Sequence, residues 1–427
     1  MQKDKHGGSR CDLRYIEQFI DAGEGTWKAR YGPLKLKSHF QPIFSLAHQQ
    51  IVGYEGLLRT YDADAAEIAP SRLFSRTQEL FEDVFLDRMS RYLHTHNYSS
   101  KTNGQDWLFL NVSPRVVVGG KDYGAFFKEL LSRTDIEPGR VVVEVVEQGI
   151  EDESVLAEAV EYYRGLGCLI AIDDFGKGHS NFSRIWQIQP EMVKLDQSFI
   201  RQAVVNTNAR RVLKRLITLI HESGSLVVLE GVETEAEALL AIDSGTDLLQ
   251  GYYFARPQPT LPGRDASASF SQLCNTYRQQ TRLELERGYD LSQRYRHAMR
   301  ACGKRLVSGV ELATACEELS GLPYLKRCYL LDSEGWIQSS CTVAGEREGS
   351  ESQFIPLRRH QKMVWSQWRE FMQAARHGNE VYVGSPHLSI RDSVLSRTLY
   401  LSLIHEGVER VLGVEVDAIG YEHGETE

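Results

Sequence analysis

The stretch Leu169-Ile170-Ala171-Ile172-Asp173-Asp174-Phe175-Gly176 runs four apolar residues directly into two adjacent carboxylates, an aromatic ring and a glycine. The apolar run predicts a buried parallel strand. Side chains alternate along a strand, so Asp173 and Asp174 start out on opposite faces. Gly176 and Gly178 allow a sharp turn that gathers both carboxylates at the strand's end. Two negative charges about 4 Å apart cost roughly 4 kcal/mol at an effective dielectric near 20. A pair of divalent cations offsets that cost. The plain alternative is a solvated loop start, since Asp before Gly is common in turns.

Outward from this stretch a rhythm of strands and helices runs from about Ser38 to Pro259. Ser38–Leu46 and Ile51–Leu58 are separated by the polar turn His48-Gln49-Gln50 and predict an antiparallel hairpin. Strands follow at Trp107–Val112, Val141–Val146, Leu169–Ile172, Met192–Leu195, Leu226–Leu229 and Leu248–Phe254. Amphipathic helical stretches lie between them. Val212, Leu213, Leu216, Ile217 and Ile220 share one helical face, and Thr234 with Glu237 makes a capping box. This alternation predicts an α/β fold, a TIM-like (β/α)8 barrel with one antiparallel strand. Nearly every strand runs into a polar residue: Glu55, Asn111, Glu144 and Glu147, the aspartate pair, Lys194 and Asp196, Glu230 and Glu233, and Gln250. A barrel gathers such strand ends on one rim. Each residue alone reads as a strand-edge charge or turn residue. Together they do not, because charged groups are depleted in buried strands unless paired or ligating metal.

The bulk composition bounds the partners. The chain has 427 residues, a formal net charge of −9, 42% hydrophobic and 25% charged residues. The length predicts two domains, and the acidic balance argues against a general DNA binder. Seven cysteines are scattered without a C-x-x-C pair. That predicts a reduced, cytoplasmic chain and argues against a cysteine zinc site. No signal peptide and no transmembrane run is visible. Residues 1–37 read as a leader in which Leu13, Ile16, Phe19 and Ile20 have helical spacing.

The blocks now resemble a known family, the EAL-domain cyclic-di-GMP phosphodiesterases. They are Glu55-Gly56-Leu57-Leu58-Arg59, Asn111-Val112-Ser113, Glu144-Val145-Val146-Glu147, and Asp173-Asp174-Phe175-Gly176-Lys177-Gly178. Lys194-Leu195-Asp196, Glu230-Gly231-Val232-Glu233 and Gln250-Gly251-Tyr252 follow in order. The resemblance implies a two-metal site for Mg²⁺ or Mn²⁺, with Glu55, Asn111, Glu144 and Asp173 on one ion and Asp173 and Asp174 on the other. Oxygen ligands suit such hard ions, which clamp the attacking and leaving oxygens of an in-line displacement. It further implies Glu230 as the base or water-orienting group, Lys194 as the holder of the nucleophilic water and an offset to charge on the phosphate, and Gln250 as a support. Arg59, Gln41 and Asp196 fall to substrate binding, and Glu147 and Glu233 to anchoring the site from behind. The departures are Gly56 for Ala, Val146 for Thr, and Lys177, His179 and Asn181 for the Thr, Tyr and Ser of the loop after the aspartates. That loop couples dimerisation to catalysis in the family.

The pattern changes near Ser269. Leu273, Tyr277, Leu285, Leu291, Tyr295, Ala298 and Met299 lie in a long polar stretch that predicts a connecting helix, bent at Gly288. Short strands follow at Arg327–Leu331, Trp336–Gln338, Glu380–Val383, Thr398–His405 and Arg410–Val416, interrupted by helical Trp365–Ala375. This module resembles the PAS- or Cache-like α+β sensory domains often joined to such enzymes. Tyr382, Pro386, His387 and Arg391 are candidate pocket residues for an unknown ligand, though structural roles suit them too. The expected organisation is a leader (1–37), a phosphodiesterase barrel (38–260), a connecting helix (261–305) and a regulatory domain (306–427). Hydrolysis of cyclic-di-GMP by a homodimer is the leading reading, and a non-hydrolysing receptor the second.

Overall fold

The computed structural model describes residues 11–23, 25–74, 77, 79–102, 105–112, 116, 126–146, 153–177, 182–263, 266–342, 364–365, 367–376, 380–389 and 392–423. Ser113, Glu147, Gly178, His179, Asn181 and Arg391 lie outside them, as does the side chain of Val146. The chain divides into two compact units, Met1–Tyr277 and Arg278–Glu427. The division falls within one helix, Ala266–Val307.

The first unit carries eleven strands in chain order: β1 (Ile20–Gly23), β2 (Thr26–Tyr31), β3 (Leu34–Ser45), β4 (Gln50–Tyr61), β5 (Glu67–Ile68), β6 (Trp107–Val112), β7 (Val141–Val146), β8 (Leu169–Phe175), β9 (Met192–Leu195), β10 (Leu226–Leu229) and β11 (Leu248–Leu249). Eight of them close into a barrel, β3-β4-β6-β7-β8-β9-β10-β11, with β11 returning to β3. β3 is antiparallel to both neighbours, and the other barrel pairings are parallel. The hairpin read from His48-Gln49-Gln50 is that antiparallel strand, and Gln49 turns with φ 52°.

The leader is built into this unit. Leu13–Glu17 is a helix capped by Asp12, and β1 and β2 extend the sheet outward from β3. Alternating charges hid these strands, because β1 buries none of its residues. The last barrel strand is shorter than the expected Leu248–Phe254. At Gly251 a Cβ would lie 2.0 Å from the carbonyl oxygen of Val232, so the chain leaves the sheet where only glycine fits. Tyr253 then donates its N–H to that same carbonyl.

The barrel interior has two layers. Ile43, Phe109, Val142, Ala171, Met192, Val228 and Leu248 form an apolar floor, with Val52 packed against it. Because side chains alternate, the residue two positions nearer the rim faces inward again. Those residues are Gln41, Asn111, Glu144, Asp173, Lys194, Glu230 and Gln250. The apolar layer fixes the barrel, and the strand period delivers the polar layer above it.

In the second unit, β12 (Leu325–Asp332), β13 (Ile337–Thr342), β14 (Val381–Val383), β15 (His387–Leu388), β16 (Leu395–His405) and β17 (Val408–Asp417) form an antiparallel sheet. Its order is β13-β12-β17-β16-β14, with β15 on β16. One face packs on Leu291, Tyr295, Met299, Cys302 and Leu306 of the long helix. The other packs on Trp365 and Phe371. Gly288 marks a close approach in this unit, since a Cβ there would sit 2.7 Å from the carbonyl of Glu422. His387 lies against Trp365 and Trp368, with ring centroids 5.7 and 5.1 Å apart. Tyr382 donates to Glu380.

Candidate active site

Lys194 stands at the centre of the polar layer. Its Nζ lies 2.5 Å from Glu230, 3.3 Å from Asp173 and 3.8 Å from Glu55, and it is closely paired with Glu144. The lysine is 1% exposed and Glu144 is fully buried. Four carboxylates around one ammonium leave a net charge of −3 if all are ionised. Burial pushes Glu144 well above the carboxylate range, and Glu55 adds to the push. Burial likewise raises Glu230 to about 8, Lys194 opposing and Asp173 and Glu55 reinforcing. For Lys194, burial disfavours the charge, but Asp173, Glu144, Glu230 and Glu55 outweigh it and hold the ammonium protonated.

Amide groups complete the rim. β3 and β4 place Gln41 directly opposite Glu55. Gln250 Nε2 donates to Glu55 at 2.7 Å and to Gln41 Oε1 at 3.3 Å, while Gln41 Nε2 donates to the carbonyl of Ala255 at 3.1 Å. Asn111 Nδ2 donates to Glu55 Oε1 at 2.8 Å, an arrangement that leaves its amide oxygen for a cation.

The aspartate pair is turned at Asp174 itself. Asp174 has φ 53°, and the β8–β9 register shifts between Ile172 and Phe175. The expected turn at the glycines begins two residues earlier, because aspartate tolerates the left-handed region. The bulge separates the two carboxylates. Asp173 joins Lys194, whereas Asp174 meets Lys177, whose Nζ lies 3.1 and 3.3 Å from its two oxygens. Burial raises Asp174, with Asp173 adding and Lys177 opposing. Gly176 follows at φ 100°, and the ring of Phe199 fills the space a Cβ would need.

Three other candidates take different partners. Asp196 caps the helix Gln197–Val205 by accepting from the Ser198 N–H at 2.9 Å. Arg59 donates to the Leu58 carbonyl and pairs with Glu67 at 3.2 Å. Glu233 is half exposed and pairs with Arg201 at 3.0 Å. Sequence reading missed the support behind Glu55. Gly56 lies against His94, where a Cβ would come within 2.8 Å of the ring. His94 is fixed by Ser38 at 2.9 Å and Ser90 at 3.0 Å.

The donor set fits hard divalent cations. Glu144 Oε1 and Asp173 Oδ1 meet only the Lys194 ammonium, and Glu144 Oε2 is buried without a hydrogen-bond partner, a costly state unless further positive charge satisfies it. Glu55, Asn111, Glu144, Asp173 and Asp174 offer oxygen ligands, which suit Mg²⁺ or Mn²⁺.

The barrel has counterparts among known proteins. The EAL domain family model matches residues 34–257, just over half of the chain. The chain is 27% identical over 228 residues to the cyclic di-GMP phosphodiesterase RocR of Pseudomonas aeruginosa, covering 53% of this chain and 58% of RocR. It is 26% identical over 314 residues to the EAL-domain protein YkuI of Bacillus subtilis, covering 70% and 74%. Other curated relatives are longer, and the match spans only 31% and 28% of two of them. The crystal structure of YkuI with cyclic-di-GMP and calcium shares the fold at a TM-score of 0.72 and 21% identity, over 89% of this chain and 96% of that one. The chain belongs to the EAL-domain family.

Proposed function

We propose that the chain hydrolyses cyclic-di-GMP to linear pGpG at this rim, using two Mg²⁺ or Mn²⁺ ions. The observation that carries the reading is the cluster of Glu55, Glu144, Asp173 and Glu230, four carboxylates on one buried ammonium at Lys194, with Glu144 Oε2 buried and without a hydrogen-bond partner. RocR is named a phosphodiesterase of this dinucleotide, and YkuI was crystallised with it and with calcium. Bound divalent ions supply Lewis-acid polarisation of the phosphate and acidify the attacking water. Glu55, Asn111, Glu144, Asp173 and Asp174 would hold these ions, with Asp173 serving both. Glu230, poised near neutrality, takes the water's proton. Lys194 orients Glu230 and offsets charge building on the phosphate. Gln250 holds Glu55 in place, and Gln41 lies in the dinucleotide groove. Arg59 and Asp196 contact the dinucleotide, and Glu147 and Glu233 anchor the loops. In the reaction the water oxygen joins phosphorus and the ester oxygen leaves with a proton.

A second reading, a receptor that binds without cutting, has one observation in its favour. Lys177 holds both oxygens of Asp174, a ligand of the second ion. Chromatography of cyclic-di-GMP incubated with the chain and Mn²⁺ separates the two readings. Linear product supports hydrolysis, and bound but intact ligand supports the receptor.

The wider setting is proposed with it: a cytoplasmic homodimer whose PAS- or Cache-like C-terminal module adjusts how the barrels pair. No helix among the described residues is long and apolar enough to cross a membrane. Truncation tests the regulation. The cut belongs after Tyr277 rather than near Pro259, because Phe270 stacks on Phe44 at 5.2 Å in the first unit's core. The truncated chain should lose dimer mass or change turnover. A dimer with unchanged turnover removes the module from the mechanism.

A further inference from the structure

Scattered cysteines with no short spacing argue against a thiolate metal site, yet the second unit gathers four of the seven. Cys302 lies on the long helix, and Cys316 sits between the short helices Leu312–Ala315 and Glu317–Ser320. Cys328 and Cys341 face each other across β12 and β13. The sulfurs of Cys316, Cys328 and Cys341 all lie within 4.8 Å of one another. The sulfur of Cys302 lies 3.4 Å from that of Cys316.

We propose that Cys302, Cys316, Cys328 and Cys341 form a second metal centre, a tetrathiolate zinc site that fastens the long helix and the edge strand β13 to the sheet of the C-terminal unit.

The geometry suits an ion among the sulfurs of Cys316, Cys328 and Cys341, with Cys302 standing outside that group beside Cys316 and completing the set by a side-chain turn. Zinc–thiolate bonds of about 2.3 Å in a tetrahedron set sulfur–sulfur edges of about 3.8 Å. Cys302 and Cys316 lie 3.4 Å apart, and the other three sulfurs lie within 4.8 Å of one another, so small side-chain movements reach that edge. A disulfide instead requires two sulfurs at about 2.05 Å, which none of the four has reached, and it would leave the other pair without a role. Cys302, Cys316 and Cys328 are 1%, 3% and 1% exposed, while Cys341 is half-buried and offers the ion a route in. A closed, buried site is the structural kind of zinc centre. The surroundings include Met299, Leu306, Leu312, Leu319 and Leu330, an apolar shell that excludes water. All four are free thiols, and that of Cys316 is in contact with that of Cys302. Zinc binding replaces their protons, so each thiol surrenders one and the loaded site carries two negative charges.

The competing account is that these are small apolar core residues, since free cysteine packs as a hydrophobe. It predicts no ion.

Cobalt(II) titration of the full-length chain separates the accounts, because sulfur ligation gives a thiolate-to-metal charge-transfer band that the all-oxygen barrel site does not. The expected result is that band at one cobalt per chain, displaced by equimolar zinc, with zinc shielding four of the seven thiols from alkylation. Cys341→Ser and Cys328→Ser should weaken binding by more than the roughly 10–100-fold that losing an outer partner costs. Cys341→Ser lies at the exposed side and should retain the wild-type far-ultraviolet spectrum. Absence of the band in wild-type protein with seven free thiols on unfolding overturns the site in favour of plain packing. A Cys328–Cys341 or Cys302–Cys316 disulfide in the purified chain overturns it in favour of a redox pair.

Discussion

Lys194 Nζ lies 2.5 Å from Oε1 of Glu230; Lys194 belongs to β9, and Glu230 follows the end of the neighbouring strand β10. This pairing binds the proposed base to the one cation buried among four carboxylates. It also gives the pair two separable jobs, one in catalysis and one in the stability of the metal-free barrel.

Lys194→Ala and Glu230→Ala should each nearly abolish hydrolysis while substrate affinity stays within about an order of magnitude, because aligning water matters chiefly in the transition state. Only Lys194→Ala should also lower metal-free stability, by about 3–5 kcal/mol, since it strands buried carboxylates. Thermal melts should show Mn²⁺ restoring part of that loss. Near-wild-type turnover in either variant refutes the assigned roles.

Gly56→Ala restores the residue usual at this position in the family, and it should nonetheless destabilise this chain. The added methyl would sit 2.8 Å from the ring of His94, and overpacking costs about 1–3 kcal/mol. The double variant Gly56→Ala/His94→Ala should lose less than the sum of the single changes. Urea midpoints measure both, and strict additivity contradicts the pairing.

The share of stability owed to His94 and His96 should fall as acid is added from about pH 6.5, against the opposite contribution of the raised carboxylates Glu144, Glu230 and Asp174. Burial lowers His94 to about 3, with Arg59 adding, and lowers His96 to about 4, with Arg133 adding. Between those values and 6.5 these histidines bind protons in the unfolded chain that they do not bind in the folded one, so their share of stability rises with pH across that window. His94→Asn should flatten the slope of melting temperature against pH between about 4 and 6.5. Identical slopes for variant and wild type contradict the assignment.

The barrel and most of its rim were legible because both follow from a local period. Each inward polar residue lies two positions from an apolar one, as Asp173 does from Ala171 and Lys194 from Met192. The short turn at Gln49 likewise announced the antiparallel strand. Features that depend on distant partners were not legible. Gly56 answers to His94, and the end of β11 answers to Val232. The left-handed backbone of Asp174 follows from a bulge against β9 rather than from the glycines beside it. The cysteine cluster draws one residue from each of four elements, so no short spacing marks it.

The central claim is that the acidic rim cuts cyclic-di-GMP with the help of divalent ions. Its most direct test follows the dinucleotide by chromatography with wild-type protein and Glu144→Gln, each in Mn²⁺, Mg²⁺ and Ca²⁺. Wild type should yield pGpG in Mn²⁺ and Mg²⁺ and little in Ca²⁺, whose larger radius and looser coordination spoil a site for small octahedral ions. Glu144→Gln should yield none, because it removes a buried oxygen ligand. Tight binding of cyclic-di-GMP by wild type with no product in any of the three ions would contradict the account and make the chain a receptor.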